Sequence, residues 1–207
     1  MLCIIRFRHE EKRMKLGFSL FINITIFVIT TILVIGFFRE EGRWSPARGK
    51  RAFRYFTTQS NVLCAISALF MCLFTDTDLA YYLKVMGTAA VTVTMLTVLL
   101  FLGRLYGYKS LLKGSDLFMH LVTPLLAIVS LCVFERRGIG FLTSFIGVIP
   151  VALYAPLYLY NVVYAPEEKR WEDFYGFNRD GKWRISYAIM LAGTAVICVA
   201  FYIILNL

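Results

Sequence analysis

Six long apolar stretches, parted by short charged segments, leave this chain few folds to choose from. They run over about residues 16–38, 56–74, 82–102, 116–134, 139–163 and 185–205, each about the 18 or more residues that cross a bilayer as a helix. Inside hydrocarbon every backbone N–H and C=O needs an internal partner, which helices and closed barrels alone provide. Runs of this length and continuity are helical. The expected fold is therefore all-α, a polytopic membrane protein with six transmembrane helices in one bundle, the whole of 1–207 forming a single domain.

Composition agrees: 59% of residues are hydrophobic, 17% are charged and the mean hydropathy is +0.69, too apolar for a soluble globule. The formal charge of +9 would suit nucleic acid, but Lys and Arg fall almost entirely between the apolar runs. There they mark loops and contacts with anionic headgroups, so membrane lipids rather than nucleic acid are the expected partners. The first run is too long for a signal-peptide core and lacks a small-residue cleavage site, which makes it a retained helix. Met14-Lys15, directly before it, offers an alternative start. Cys3, Cys64, Cys72, Cys132 and Cys198 include no C-x-x-C pair, so no disulfide framework or metal site is expected, and no cofactor.

Between the helices the chain predicts a basic loop at Arg39–Arg54, a short turn capped by Asp76 and Asp78, and a fifth helix kinked at Pro150 and Pro156. The long segment Ala165–Arg184 mixes charges with aromatics and suits the headgroup level. Thr88, Thr92, Thr94 and Thr97 are expected to bond back to their own helix or across to a neighbour. The loops after helices one, three and five hold fourteen Lys and Arg, against eight in the N-terminal tail and the loops after helices two and four. That count favours an N-terminus outside the cell membrane.

One histidine lies in the hydrophobic part, His120, about four residues or 6 Å into the fourth helix. Asp116 and Thr123 share its face. An ionisable group at membrane depth is a default pointer to function, against the plainer reading of a side chain that snorkels or bonds a neighbouring helix. Helices two and four begin, and helix five ends, on one side of the membrane. The run Thr57, Thr58, Gln59, Ser60, Asn61, the pair Asp116–His120 and the end Tyr158–Asn161 therefore meet at similar depth, where lipid ester carbonyls sit. A hydroxyl, an imidazole and several amide or phenol donors are the parts of acyl chemistry. A threonine needs a base, for which His120 serves; Asp116 can fix its tautomer, and Gln59, Asn61 or Tyr158 can supply oxyanion donors. The alternative is a polar helix start with Tyr154, Tyr158 and Tyr160 as an aromatic belt.

Two motifs favour the catalytic reading. Arg54-Tyr-Phe-Thr-Thr-Gln-Ser-Asn-Val-Leu63 and Leu117-Phe-Met-His-Leu-Val-Thr-Pro-Leu-Leu126, with Pro156-Leu-Tyr158, resemble the motifs of a bacterial six-helix integral membrane family. That family is related to the androgen-induced and androgen-dependent TFPI-regulating membrane proteins, threonine hydrolases that cleave fatty acid esters of hydroxy fatty acids. The resemblance implies a lipid-ester hydrolase of the bacterial plasma membrane with Thr57 as nucleophile and His120 as base. The spacing offers Asp116 as the orienter of His120, and Thr58, Gln59, Asn61, Tyr158 and Asn161 as the lining of the substrate site. The chain departs from the eukaryotic relatives by one residue between threonine and Asn61 and by one between histidine and Pro124, which leaves Thr58 an alternative nucleophile. Asp173-Phe-Tyr-Gly-Phe-Asn178 stands where those relatives carry Tyr-Pro-Phe, and their N-terminus is cytoplasmic, opposite to the charge count. The other readings are a non-enzymatic membrane protein that binds or passes a small molecule, and a membrane acyltransferase.

Overall fold

The computed structural model describes residues 2–207, with side chains from Glu10 onward. Among the described residues six helices are long and apolar enough to cross a membrane, Glu10–Phe37, Phe56–Leu73, Asp78–Tyr106, Ser115–Phe134, Phe141–Tyr164 and Trp183–Asn206. The protein is an all-α, multi-pass integral membrane protein, and these are called helices one to six below. The only sheet among the described residues is a two-residue hairpin, Arg39–Glu40 (β1) against Arg43–Trp44 (β2), in the basic loop. Its turn places Glu41 and Gly42 at φ 50° and 80°, the left-handed pair that a tight hairpin needs. A short helix, Pro46–Ala52, follows, capped by the Ser45 hydroxyl.

Helix three is the hub. Two thirds of its apolar window is buried, against 17% for helix one and 22% for helix six. Its small residues permit this: a Cβ on Gly87 would lie 2.7 Å from Ser67 Oγ and 3.0 Å from Cys64 Cα, so helix two packs directly on its backbone. Between them the Ser60 and Thr94 hydroxyls are 2.8 Å apart, a bond worth roughly 0.6 kcal/mol across membrane helices. Thr92 and Thr94 also donate back to Thr88 and Ala90, as expected of membrane threonines.

Helix three begins one turn earlier than hydropathy predicts. Asp78 is its first residue rather than a turn cap, and Thr77 accepts the Ala80 N–H instead. Lys84, counted above among the loop charges, lies within helix three, and Glu135 directly follows the last residue of helix four. Lys84 is fully buried and Glu135 is 5% exposed. Glu135 Oε1 accepts from Ser19 (2.7 Å), Asn23 (2.5 Å) and Ser130 (2.6 Å). Lys84 Nζ donates to Asn23 Oδ1 at 2.5 Å and lies 3.8 Å from Glu135 Oε2. Five polar side chains from helices one, three and four thus neutralise one another near the N-terminal face, as charges at this depth must. The basic tail's Arg6 and Arg8 lie outside the described side chains.

At the opposite face, residues 165–182 form a strap across the ends of helices two and five. The Asp173 carboxylate organises it, accepting Tyr158 OH at 2.9 Å and the N–H groups of Phe177 and Asn178 at 2.7 Å each. Phe174, Tyr175 and Phe177 pack on Tyr158 with ring centroids 5.1–5.7 Å away. Arg54 stacks over Trp171 in a cation–π contact.

Candidate active site

Helix two opens with Tyr55 as its N-cap, whose side chain makes no capping bond. Phe56 and Thr57 are the first two helical residues, where amide protons have no carbonyl four residues back. Thr57 faces helix four, and its hydroxyl lies 3.4 Å from His120 Nε2.

The backbone around His120 is unusual. Phe118–Val122 forms a π-helical turn, with the Thr123 N–H returning to Phe118 O. Pro124 accounts for it: the ring has no N–H to give the carbonyl four residues earlier, that of His120, and it crowds that carbonyl. The widened turn leaves His120 buried, 8% exposed, yet aimed at Thr57.

The tautomer follows from the second ring nitrogen. His120 Nδ1 is 2.7 Å from the carbonyl oxygen of Leu111. A carbonyl only accepts, so Nδ1 carries the proton, and in the neutral ring Nε2 presents its lone pair to the Thr57 hydroxyl. The orienting role expected of Asp116 belongs to this backbone carbonyl. Among the described residues no hydrogen bond joins Asp116 to His120; Asp116 stands on the wall of the cavity instead.

That cavity, about 560 Å³, is lined by Thr57, Thr58, Asp116, His120, Asp173 and Tyr175 together with apolar side chains including Phe37, Leu102 and Leu111. Three carboxylates, counting Glu172, and no Lys or Arg line it, although the surrounding loops are basic.

The remaining expected site residues fall into different roles. Thr58 is buried and lines the cavity. Asn61 is fully buried and donates to Thr57 O (2.8 Å) and Met119 O (3.0 Å), tying helix two to the turn that carries His120. Gln59 is turned away, donating to Phe53 O and lining a separate groove of about 330 Å³ toward helix five. Tyr158 and Asn161 do not line the cavity: Tyr158 is buried under the strap, and Asn161 bonds Leu157 O while its carbonyl accepts the Trp171 N–H.

Tyr175 was missed by sequence reasoning. Its hydroxyl accepts the Phe56 N–H at 2.9 Å, so a strap residue supplies the cap that Tyr55 does not. The same hydroxyl interacts with the Thr57 side chain and backbone and with Tyr154. Burial of this end pushes the phenol up to about 12, against the opposing pull of the Thr57 hydroxyl and the helix N–H groups. The signal was one aromatic among several in a loop that also carries charges, which looks the same whether it faces lipid or protein. Among the described residues no three His, Cys, Asp or Glu side chains gather as a metal site would need. No family model, curated protein or solved structure matches the chain.

Proposed function

We propose that this membrane protein is a lipid-ester hydrolase in which Thr57 is the nucleophile and His120 the general base. One observation carries the reading: Thr57 Oγ1 lies 3.4 Å from a His120 Nε2 whose lone pair is freed by the Nδ1–Leu111 bond. Nucleophile, base and an orienting group for the base are the parts of a covalent acyl-transfer site, and apo contacts of this kind tighten when substrate binds. The motif resemblance to membrane threonine hydrolases points the same way. A cavity of about 560 Å³ is within the range of ligand pockets.

The chemistry runs in two halves. Thr57 Oγ attacks the ester carbonyl carbon as Nε2 takes its proton, and the carbonyl π pair moves onto oxygen. Collapse of the tetrahedral species expels the alcohol, which leaves with the proton from His120, and the acyl group stays on Thr57. Water, deprotonated by the same nitrogen, then releases the fatty acid. An alcohol in place of water would make the step a transfer.

A fluorophosphonate probe tests this on purified protein. It should label Thr57; Thr57→Ala should abolish labelling, His120→Ala should slow it about 10²–10⁴-fold, and Thr58→Ala should leave it. Labelling that survives Thr57→Ala and not Thr58→Ala would move the nucleophile. No labelling of folded protein would return the site to a binding or permeation role.

A further inference from the structure

An acyl transfer of this kind needs donors for the oxygen that turns negative. The side chains that the sequence offers are spent: Gln59 Nε2 on Phe53 O, both Asn61 contacts on backbone carbonyls, Tyr158 OH on Asp173. The strap brings one that is not spent on a neighbouring carbonyl or carboxylate. Tyr175 lines the cavity beside Thr57 and His120, and its ring is held by Tyr154, Tyr158 and Phe174.

We propose that Tyr175 is the oxyanion donor of this site, its hydroxyl held by the first N–H group of helix two and donating to the ester oxygen as Thr57 attacks. The inference rests on the hydrolase reading of Thr57 and His120. Three features carry it. The Phe56 N–H directs its proton at Tyr175 Oη, which leaves the phenolic proton to turn toward the hydroxyl oxygens beside it, those of Thr57 and Tyr154. Turned to Thr57 it meets Oγ, and in the tetrahedral species the oxyanion and Oγ are bonded to one carbon. A donor that reaches one oxygen in the free enzyme reaches the other after attack. The Phe56 N–H at the helix start also polarises the O–H, since donors arranged in series strengthen one another. Burial keeps the phenol protonated across physiological pH, so it remains a donor throughout.

The oxygen is neutral in the ester and negative only after attack, so the bond to Tyr175 gains strength along the reaction coordinate. Such a donor acts on kcat and leaves KM alone. No proton is transferred from Tyr175: the charge is created and removed on the carbonyl oxygen, and the phenol returns to Thr57 Oγ when the product leaves.

Tyr175→Phe keeps the ring and removes the donor. Its fluorophosphonate labelling rate should fall about 10²–10³-fold, and its kcat on p-nitrophenyl octanoate by the same factor with KM within about twofold. A role limited to capping helix two would lower the unfolding temperature and leave both rates near wild type, which overturns the proposal while the hydrolase reading stands. Absence of wild-type labelling overturns both. Should Tyr175→Phe not fold, 3,5-difluorotyrosine at 175 keeps size and shape with a more acidic phenol. Labelling should then fall at a lower alkaline pH than in the native protein; an unchanged profile would also overturn the assignment.

Discussion

At the scale of single residues, the two sites of consequence are each held by a side chain whose environment differs from its sequence neighbourhood. His120 works through a backbone carbonyl, and Leu111 O cannot be mutated away; displacing the turn that presents it can. Lys84 is the sharper case. Removing one partner of a buried ion pair leaves the other charge uncompensated, so Lys84→Met should lower stability by about 3–5 kcal/mol, read as thermal unfolding in detergent. Lys84→Met combined with Glu135→Gln should cost clearly less than the two changes summed. Additive losses would mean the 3.8 Å pair is not coupled. Tyr175 adds a pH dependence with a definite sign. Its folded value, about 12, lies above the ordinary phenol value near 10, so its contribution to stability is full below about pH 10 and is lost as pH rises through about 12. Tyr175→Phe should remove that alkaline loss. None of these three settings was legible in the chain, because each depends on which face of an almost wholly apolar helix, or of a mixed loop, turns inward.

The elements themselves were largely legible. Six apolar runs of sufficient length are six helices, and the start of helix three moved because a polar residue, Asp78, joined the helix rather than ending it. Thr57, Asp116 and His120 meet because alternate helices start on one side of a membrane, a rule that needs no tertiary information. The strap was not legible. Its Trp, Tyr and Phe side chains fit an interfacial belt as well as a buried cluster, and it is the Asp173 turn that folds them inward. Small residues decide helix packing in the same hidden way. Gly87→Ala should cost about 1–3 kcal/mol, since the added carbon meets Ser67 and the Cys64 backbone. Gly193→Ala, with nothing within 4 Å in helix six, should be neutral or stabilising. Unfolding temperatures of the pair decide whether helix two really rides on helix three.

For the molecule as a whole, burial of Lys84 alters the charge balance that orients it. With that lysine removed from the loops, fourteen Lys and Arg on the strap face stand against seven on the N-terminal face, the latter being Arg136, Arg137 and the five of the tail. The strap face, with the Thr57 site, is then expected in the cytoplasm. In a cysteine-free background, a membrane-impermeant maleimide should label Asp76→Cys in intact cells and Ser110→Cys only after lysis; the reverse pattern would invert the topology. The buried Lys84–Glu135 group also bears on how the protein is made. Its polar members enter the bilayer separately: Ser19 and Asn23 with helix one, Lys84 with helix three, and Ser130 and Glu135 last, with helix four. Until helix four arrives, helix three carries an ammonium whose carboxylate partner has yet to be synthesised, held only by the Asn23 amide. A nascent chain arrested before Glu135 is thus a poor membrane resident, a state that an insertase must shelter or a protease can recognise.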